Sequence, residues 1–327
     1  MWHIPAMLNR RTLAATAVLL PLAARAQGAG FAAFVESVKA EARRTGISEG
    51  TLQAAFAGVQ PNQRVIELDR RQPENTMTWP EYRARVLPDA RMQAARDNYL
   101  REGGLLRQAE QRFGVDGAII VGIWGIESGF GANRGNYRLV EALSTLAWDG
   151  RRSAFFRKEL MNALRILDAG DVTPVRLTGS YAGARGQPQF MPSSYPTYAV
   201  DMDGDGRRDI WDSKADVFGS VANYLSRNGW RRGQPWIQPV TVPPEINPAG
   251  TGRGNRRTLG EWMRLGVRRT DGSAFSRADV SGELLLPTGA APGEGYIAYA
   301  NGSVIRSYNP PDFYILAVGL LANAALT

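Results

Sequence analysis

The stretch Val115 to Ile126 is apolar on all sides once past Asp116. A helix with no polar face has to be surrounded by other elements, so the chain must fold around this segment. Glu127 follows it directly, and Gly129 and Gly131 come next, residues that break helices. A carboxyl at the end of such a helix loses water, and it also faces the partial negative charge of the helix C-terminus. Both effects favour its protonated form. A carboxyl that keeps a proton near neutral pH suits a general acid. A glutamate that simply reaches solvent at a helix end fits the same pattern.

The absence of two residue types narrows the chemistry. The 327 residues contain no cysteine, and the one histidine is His3. Ser-His-Asp, Cys-His and zinc chemistry are therefore closed to the rest of the chain. Glycosidic cleavage by carboxylates remains open. The first residues read as a leader: Arg10 and Arg11, an apolar run from Thr12 to Ala23, then Ala24-Arg25-Ala26 as a small-x-small cleavage site. Removal of residues 1–26 would place the chain in the periplasm. The paired arginines before an apolar run fit twin-arginine export, and the general secretion route fits the same leader. No cysteine is available for a lipid anchor. The net charge is +8, and the leader holds three of the cations and no acid. A basic exported protein is matched to an acidic polymer, which in the periplasm is the cell wall, rather than to nucleic acid. Arginine bias of a solvated surface accounts for the charge equally well.

Helical spacing covers most of the chain. It runs through Phe31, Phe34, Val35 and Val38, then Thr51 to Ala57, Thr78 to Val86, Met92 to Phe113, Ser153 to Leu167, Ala215 to Asn228 and Phe313 to Leu326. After Trp230, five prolines between Pro235 and Pro248 punctuate β-like runs. Gln238 to Val242, Gly282 to Pro287 and Tyr296 to Ala300 read as strands. The predicted class is mainly α (α+β). The expected organisation is a leader (1–26), an N-terminal helical domain (27–105), a helical catalytic core (106–233), a small β-rich insertion (234–300) and a C-terminal return to the core (301–327).

Three further segments carry chemistry. Gly179 to Tyr195 (GSYAGARGQPQFMPSSY) mixes small residues with Ser180, Tyr181, Gln189 and Phe190, the flat rings and fixed polar groups that bind sugars. An ordinary loop is also compatible with it. Asp201 to Asp212 (DMDGDGRRDIWD) places carboxylates at loop positions one, three, five, nine and twelve, with Gly206 at six, as in an EF-hand calcium loop. Position eight is Arg208, and position twelve, Asp212, is shorter than the usual glutamate. An acidic turn without metal is the alternative. Ser307-Tyr308-Asn309 precedes the last helix and reads by itself as a turn.

Together these segments resemble the B family of lytic murein transglycosylases. The resemblance rests on Asp69-Arg70-Arg71-Gln72-Pro73-Glu74, Thr78-Trp79-Pro80-Glu81-Tyr82-Arg83, Gly125-Ile126-Glu127-Ser128-Gly129-Phe130-Gly131, Ala182 to Ser194 and Val221-Ala222-Asn223-Tyr224, in the family's order. It implies a lysozyme-like helical core with an N-terminal helical domain and a small β domain. It implies Glu127 as the catalytic acid/base. Ser180, Gln189, Arg151, Arg152, Tyr308 and Asn309 are the implied contacts to peptidoglycan glycan strands. It further implies a longer calcium loop, with Asp201, Asp203, Asp205 and the Arg207 carbonyl as ligands and Asp216, rather than Asp212, closing it. The implied reaction cuts between N-acetylmuramic acid and N-acetylglucosamine and leaves a 1,6-anhydro end. No cofactor takes part in catalysis, and any calcium is structural. A lysozyme-type hydrolase is the nearest competing reading, and a non-catalytic wall-binding protein is a more distant one. From Val172 to Val200 there is no acid, which favours a one-carboxylate route. A monomer is expected, with other cell-wall enzymes as further partners.

Overall fold

The computed structural model describes residues 30–71, 77–289 and 292–327. The expected leader lies outside the described residues. The chain divides into two compact units, one made of residues up to Gln72 together with Asn136–Gly183, the other of Pro73–Gly135 and Ala184–Thr327. The expected N-terminal domain, 27–105, is shared between them. Trp79–Val86 and Asp89–Arg101 fall in the second unit because Trp79 and Ala95 are buried in its core.

The first unit is helical. It holds a helix over 30–44, then Glu49–Phe56, Gln63–Arg70, Leu139–Asp149 and Ser153–Asp168. A two-residue antiparallel ribbon pairs Tyr137 with Gly179 and Arg138 with Thr178. The apolar positions that set the sequence periodicity are the buried ones, among them Phe31, Val35, Val38, Leu52, Val65, Phe156, Leu160 and Leu164. Helix starts are fixed by side chains that also dock neighbours. Asn62 caps Gln63–Arg70 by accepting from the Val65 amide, and its own amide donates to Glu141 Oε1 at 3.0 Å. Ser48 caps Glu49–Phe56 and donates to Asp168 Oδ1 at 2.7 Å. Each cap satisfies a helix N–H that would otherwise lack an intrahelical partner.

The second unit is built around the apolar segment. Gly117–Ser128 is a helix in which every residue except Ile126 and Glu127 is buried. It packs against Asp312–Ala325, with Asp89–Arg101, Gly103–Phe113 and Lys214–Arg227 around it. The contact with Asp312–Ala325 is unusually close. A Cβ on Gly122 would lie 2.7 Å from the Val318 carbonyl oxygen, and one on Gly125 would lie 2.6 Å from Leu321 Cδ2. Only glycine permits that approach.

The predicted β-rich segment is a five-stranded antiparallel sheet in the order Arg256–Thr258, Ser281–Leu285, Gly293–Ala298, Ile237–Val242, Arg268–Arg269. Val240, Val242, Leu284 and Ile297 form its own small core with Leu259, Trp262, Val267 and Phe275. One helix inside it, Leu259–Arg264, does not follow from the β-like pattern. It starts with a capping box in which Thr258 and Glu261 satisfy each other's backbone N–H. Among the described residues no helix is long and apolar enough to cross a membrane.

Candidate active site

Glu127 occupies the last turn of Gly117–Ser128. Gly129 ends the helix in the left-handed region (φ 57°), its N–H bonding back to the Gly125 carbonyl at 3.1 Å. Phe130 also takes a positive φ, 59°, which is costly for a residue with a Cβ. Its N–H reaches the Trp124 carbonyl, and its ring packs edge-on against Trp124 at 5.5 Å between centroids. Ser128 Oγ takes the Gly131 N–H at 3.0 Å. The turn is thus pinned, and the glutamate is set at the edge of the core as a half-buried residue.

Tyr314, in the first turn of Asp312–Ala325, donates its hydroxyl to Glu127 Oε1 at 2.6 Å. Burial pushes the Glu127 carboxyl up to about 7, against the opposing effect of that hydrogen bond. No second carboxylate is among the causes. The phenols respond in kind. Tyr308 and Tyr314 are held well above the ordinary tyrosine value, first by burial and then by the Glu127 charge, and Tyr82 is raised by the same two causes. Glu127 therefore sits in an apolar, tyrosine-lined setting that resists ionisation and offers one strong donor once it ionises.

The loop before the calcium-like segment is a tight hairpin. Arg185 and Phe190 exchange both backbone hydrogen bonds, at 3.1 Å each, with Gly186 at φ 66° and Gln189 at φ 52° between them. Gln189 is the second non-glycine residue held at positive φ among those described. Its amide nitrogen donates to the Gly186 carbonyl (2.8 Å) and the Arg134 carbonyl (3.3 Å), and its Oε1 takes no bond from the described residues. Tyr308 donates to the Pro188 carbonyl at 2.6 Å. Phe190 is buried and packs with Tyr224 and Tyr308, each 5.9 Å away between centroids. Tyr224 lies 4.6 Å from Tyr308 and donates to the Ser307 carbonyl. The second unit thus brings Glu127, Gln189, Phe190 and Tyr308 into one connected region. Asn309 is exposed just after the helix Ala300–Tyr308.

The remaining predicted sugar contacts belong to the first unit. Arg151 and Arg152 converge on Asp69, which is buried. Arg151 Nε meets Oδ2 at 2.7 Å, and an Arg152 nitrogen meets Oδ1 at 2.5 Å. Burial alone would raise the Asp69 carboxyl, but the two guanidiniums outweigh it and hold it below its usual value. Ser180 and Tyr181 follow the short ribbon, with the Tyr181 ring edge-on to Tyr137 at 6.5 Å.

In the calcium-like loop, one carboxylate oxygen from each of Asp201, Asp203 and Asp205 lies within 4.8 Å of the others. Asp201 takes the Gly204 and Gly206 N–H groups, and Asp205 takes the Arg207 N–H and pairs with the Arg207 side chain. Asp216 is fully buried at the base of the loop, where it accepts from the Met202 and Asp209 amides at 2.7 Å each. Burial raises its carboxyl. Asp212 is ion-paired with Arg134 at 2.6 Å.

The profile of the transglycosylase SLT domain family matches residues 30–323. The chain belongs to that family. Over 156 residues it is 40% identical to the membrane-bound lytic murein transglycosylase B of Escherichia coli (strain K12), a match covering 47% of this chain and 43% of that protein's length. The crystal structure of SltB3 from Pseudomonas aeruginosa in complex with NAG-anhNAM-pentapeptide is similar over 90% of this chain and 79% of that one, with 38% identity and a TM-score of 0.87. The Escherichia coli lytic transglycosylase Slt35 in complex with calcium is similar over 91% and 93%, with 29% identity and a TM-score of 0.74. The family resemblance read from the motifs holds, as does the mainly α, lysozyme-like α+β fold.

Three residues of this family member carry little or no local sequence signal of their place in the site. Tyr314 is 187 positions from its partner, and no local pattern links them. Tyr82 lies within Thr78 to Arg83, where no local pattern marks a role for it. Gln187 belongs to a segment whose pattern predicts a loop, yet it is buried. It accepts from Trp124 Nε1 at 2.7 Å and donates to the Trp211 carbonyl at 2.8 Å, tying the helix Gly117–Ser128 to the end of the acidic loop. The two glutamines flanking Pro188 were its only signal.

Proposed function

We propose that this chain is a peptidoglycan lytic transglycosylase of the periplasm, with Glu127 as its single catalytic acid/base. The observation that carries the reading is a carboxyl raised to about 7 by burial and held by a phenol at 2.6 Å. Protonated Glu127 gives its proton to the oxygen linking N-acetylmuramic acid to N-acetylglucosamine. The C1–O bond breaks and its electron pair stays on the leaving oxygen. The charge developing at C1 is shared by the substrate's own N-acetyl carbonyl. Ionised Glu127, stabilised by Tyr314, then takes the proton of the muramic C6 hydroxyl, and O6 closes on C1 as a 1,6-anhydro ring. No water is consumed, and the acid is regenerated in its starting form. A hydrolase would call for a second carboxylate, and the segment from Val172 to Val200 holds no acid.

Gln189 presents a free carbonyl oxygen to a sugar hydroxyl or amide. Tyr308 bonds to the same loop at the Pro188 carbonyl, Asn309 follows it with the sugar-contact role implied by the motifs, and Phe190 is buried within the loop. Ser180, Tyr181, Arg151 and Arg152 keep the glycan-binding role implied by the motifs, the two arginines with Asp69 fixing their direction. The loop 201–216 is a structural calcium site. Three carboxylates already converge there, and Asp216 is the closing group rather than Asp212, which Arg134 holds. The Arg207 carbonyl completes the oxygen set that a hard cation prefers. Export by the leader, a monomeric state and contacts with other cell-wall enzymes complete the reading.

The test is digestion of purified sacculi followed by mass spectrometry. The expected product carries anhydro ends, lighter by one water than hydrolysed ends. Glu127→Gln is expected to keep binding and stop release. Hydrolysed ends, or undiminished release by Glu127→Gln, overturn the mechanism. For the metal, calcium is expected to raise the melting temperature of the native chain and to leave that of Asp216→Asn unchanged.

A further inference from the structure

One cavity of the second unit is not at Glu127. It has a volume of about 580 Å³ and lies between the small sheet and the segment that links it to the helical body. None of Glu127, Gln189, Tyr308 or Tyr314 lines it. Its volume falls within the few hundred to a thousand Å³ typical of ligand sites.

Its lining is chemically lopsided. Arg231, Arg256, Arg269 and Arg277 contribute four guanidiniums, and Asp279 is the one acid among the lining residues. Arg277 is taken up by Asp279 through two contacts of 2.8 and 2.6 Å, and Arg269 reaches Asp271 at 3.4 Å. Arg256 meets only the Ser303 hydroxyl, at 3.1 Å, and the Arg231 guanidinium has no partner among the described residues. Two arginines thus face the cavity without a counter-charge. Between the cations lies an apolar floor of Leu259, Phe275 and Val280, with Tyr299 buried beside them and bonded to Gln238.

The wall that carries Arg231 is built rigidly. Asn301 is fully buried. It accepts from the Arg231 N–H at 2.8 Å and donates to the carbonyls of Arg231 (2.9 Å) and Gln234 (2.7 Å). The Tyr299 N–H bonds to the Trp236 carbonyl at 2.9 Å. A buried side chain that fixes two turns of backbone holds the guanidinium's anchor in place before any ligand arrives, which lowers the ordering cost of binding.

We propose that this cavity is a second binding site, specific for the free carboxylate end of a peptide, and that the peptide is a stem peptide of peptidoglycan held apart from the catalytic glutamate. Arginine forks suit a carboxylate bidentately, and the apolar floor suits small methyl side chains beside it. The identity of the peptide rests on the cell-wall reading above, whereas the carboxylate specificity does not.

The probe is a synthetic stem pentapeptide with a free C-terminal carboxylate, titrated into the isotope-labelled whole chain and followed by amide chemical shifts. The expected result is saturable shifts at the backbone of 231–238, 275–281 and 299–301. Arg231→Gln with Arg256→Gln is expected to weaken binding about tenfold or more, since two charge-assisted contacts are lost. C-terminal amidation of the probe is expected to do the same, and both exposed substitutions leave peptide-free glycan cut at the native rate. Inorganic phosphate at equal concentration is expected not to displace the peptide. Binding unchanged in the double variant, equal binding of the amidated probe, or displacement by phosphate each overturns the proposal. Glu127→Gln is expected to bind the peptide as the native chain does, so loss of glycan cleavage with retained peptide binding counts against the catalytic reading alone.

Discussion

Replacing Tyr314 by phenylalanine removes one oxygen and little else, because the ring remains buried in the helix Asp312–Ala325. The lost hydroxyl donates to Glu127 Oε1 at 2.6 Å, a length typical of an O–H bond to a charged acceptor. Such a bond favours ionised over protonated Glu127 by about 1.5 to 3 kcal/mol. At ~1.4 kcal/mol per pH unit this corresponds to about one to two units of pKa. In the native chain burial has already raised the carboxyl to about 7, with the Tyr314 bond pulling it down. Its removal therefore moves the pKa further up. The general acid must be protonated, so the rate falls as pH rises through that pKa, and the alkaline limb of the kcat profile reports it. The expected outcome for Tyr314→Phe is an alkaline limb displaced upward by about one unit or more, with a lower plateau because the anion formed mid-reaction loses its donor. The assay is release of soluble muropeptides from sacculi between pH 5 and pH 9. A limb that stays in place, or moves to lower pH, refutes the assignment of Tyr314 as the donor that sets Glu127. A general loss of packing would lower the plateau without moving the limb.

Three other outcomes follow from the same geometry. Glu127→Gln is expected to stabilise the fold at neutral and alkaline pH, because the folded pKa of about 7 exceeds the ordinary 4.5. The native chain loses stability as pH rises from about 4.5 to about 7, by up to ~3 kcal/mol, so denaturant midpoints of the two chains should agree near pH 4 and separate by pH 8. Gly122→Ala drives a Cβ to 2.7 Å from the Val318 carbonyl. It should cost about 1 to 3 kcal/mol and cut activity by displacing the helix that carries Tyr314, as read by urea unfolding alongside kcat. Asp69→Asn leaves Arg151 and Arg152 without their buried counter-charge, for an expected loss of about 2 kcal/mol at pH 7. Because the Asp69 carboxyl is held below its usual value, that stabilisation is present above pH ~4 and lost as pH falls, so the difference between variant and native chain should shrink toward pH 3.

Much of the fold was legible because the signals are local. The Ser153–Asp168 helix buries the face that its spacing marks, and the prolines after Trp230 do announce a sheet. Leu259–Arg264 is hidden because its six residues sit among strands, though Thr258 and Glu261 spell the capping box that starts it. The catalytic candidate was legible for the same reason. A glutamate ending a fully apolar helix before two glycines is a pattern within fifteen residues.

What the chain order hides is contact between distant segments. Local chemistry determines that Glu127 ends a dry helix, that the chain offers it no cysteine and no histidine beyond His3, and that Asp201, Asp203 and Asp205 share a turn. Each follows from composition or from backbone periods of a few residues. The tertiary structure alone decides that Tyr314 is the partner of Glu127, that Asp69 collects both arginines, and that Asp216 lies under the acidic loop while Asp212 turns to Arg134. Those outcomes depend on how closely helices approach, which here is set by two glycines facing Val318 and Leu321. Packing distance between elements joins residues that no periodicity relates.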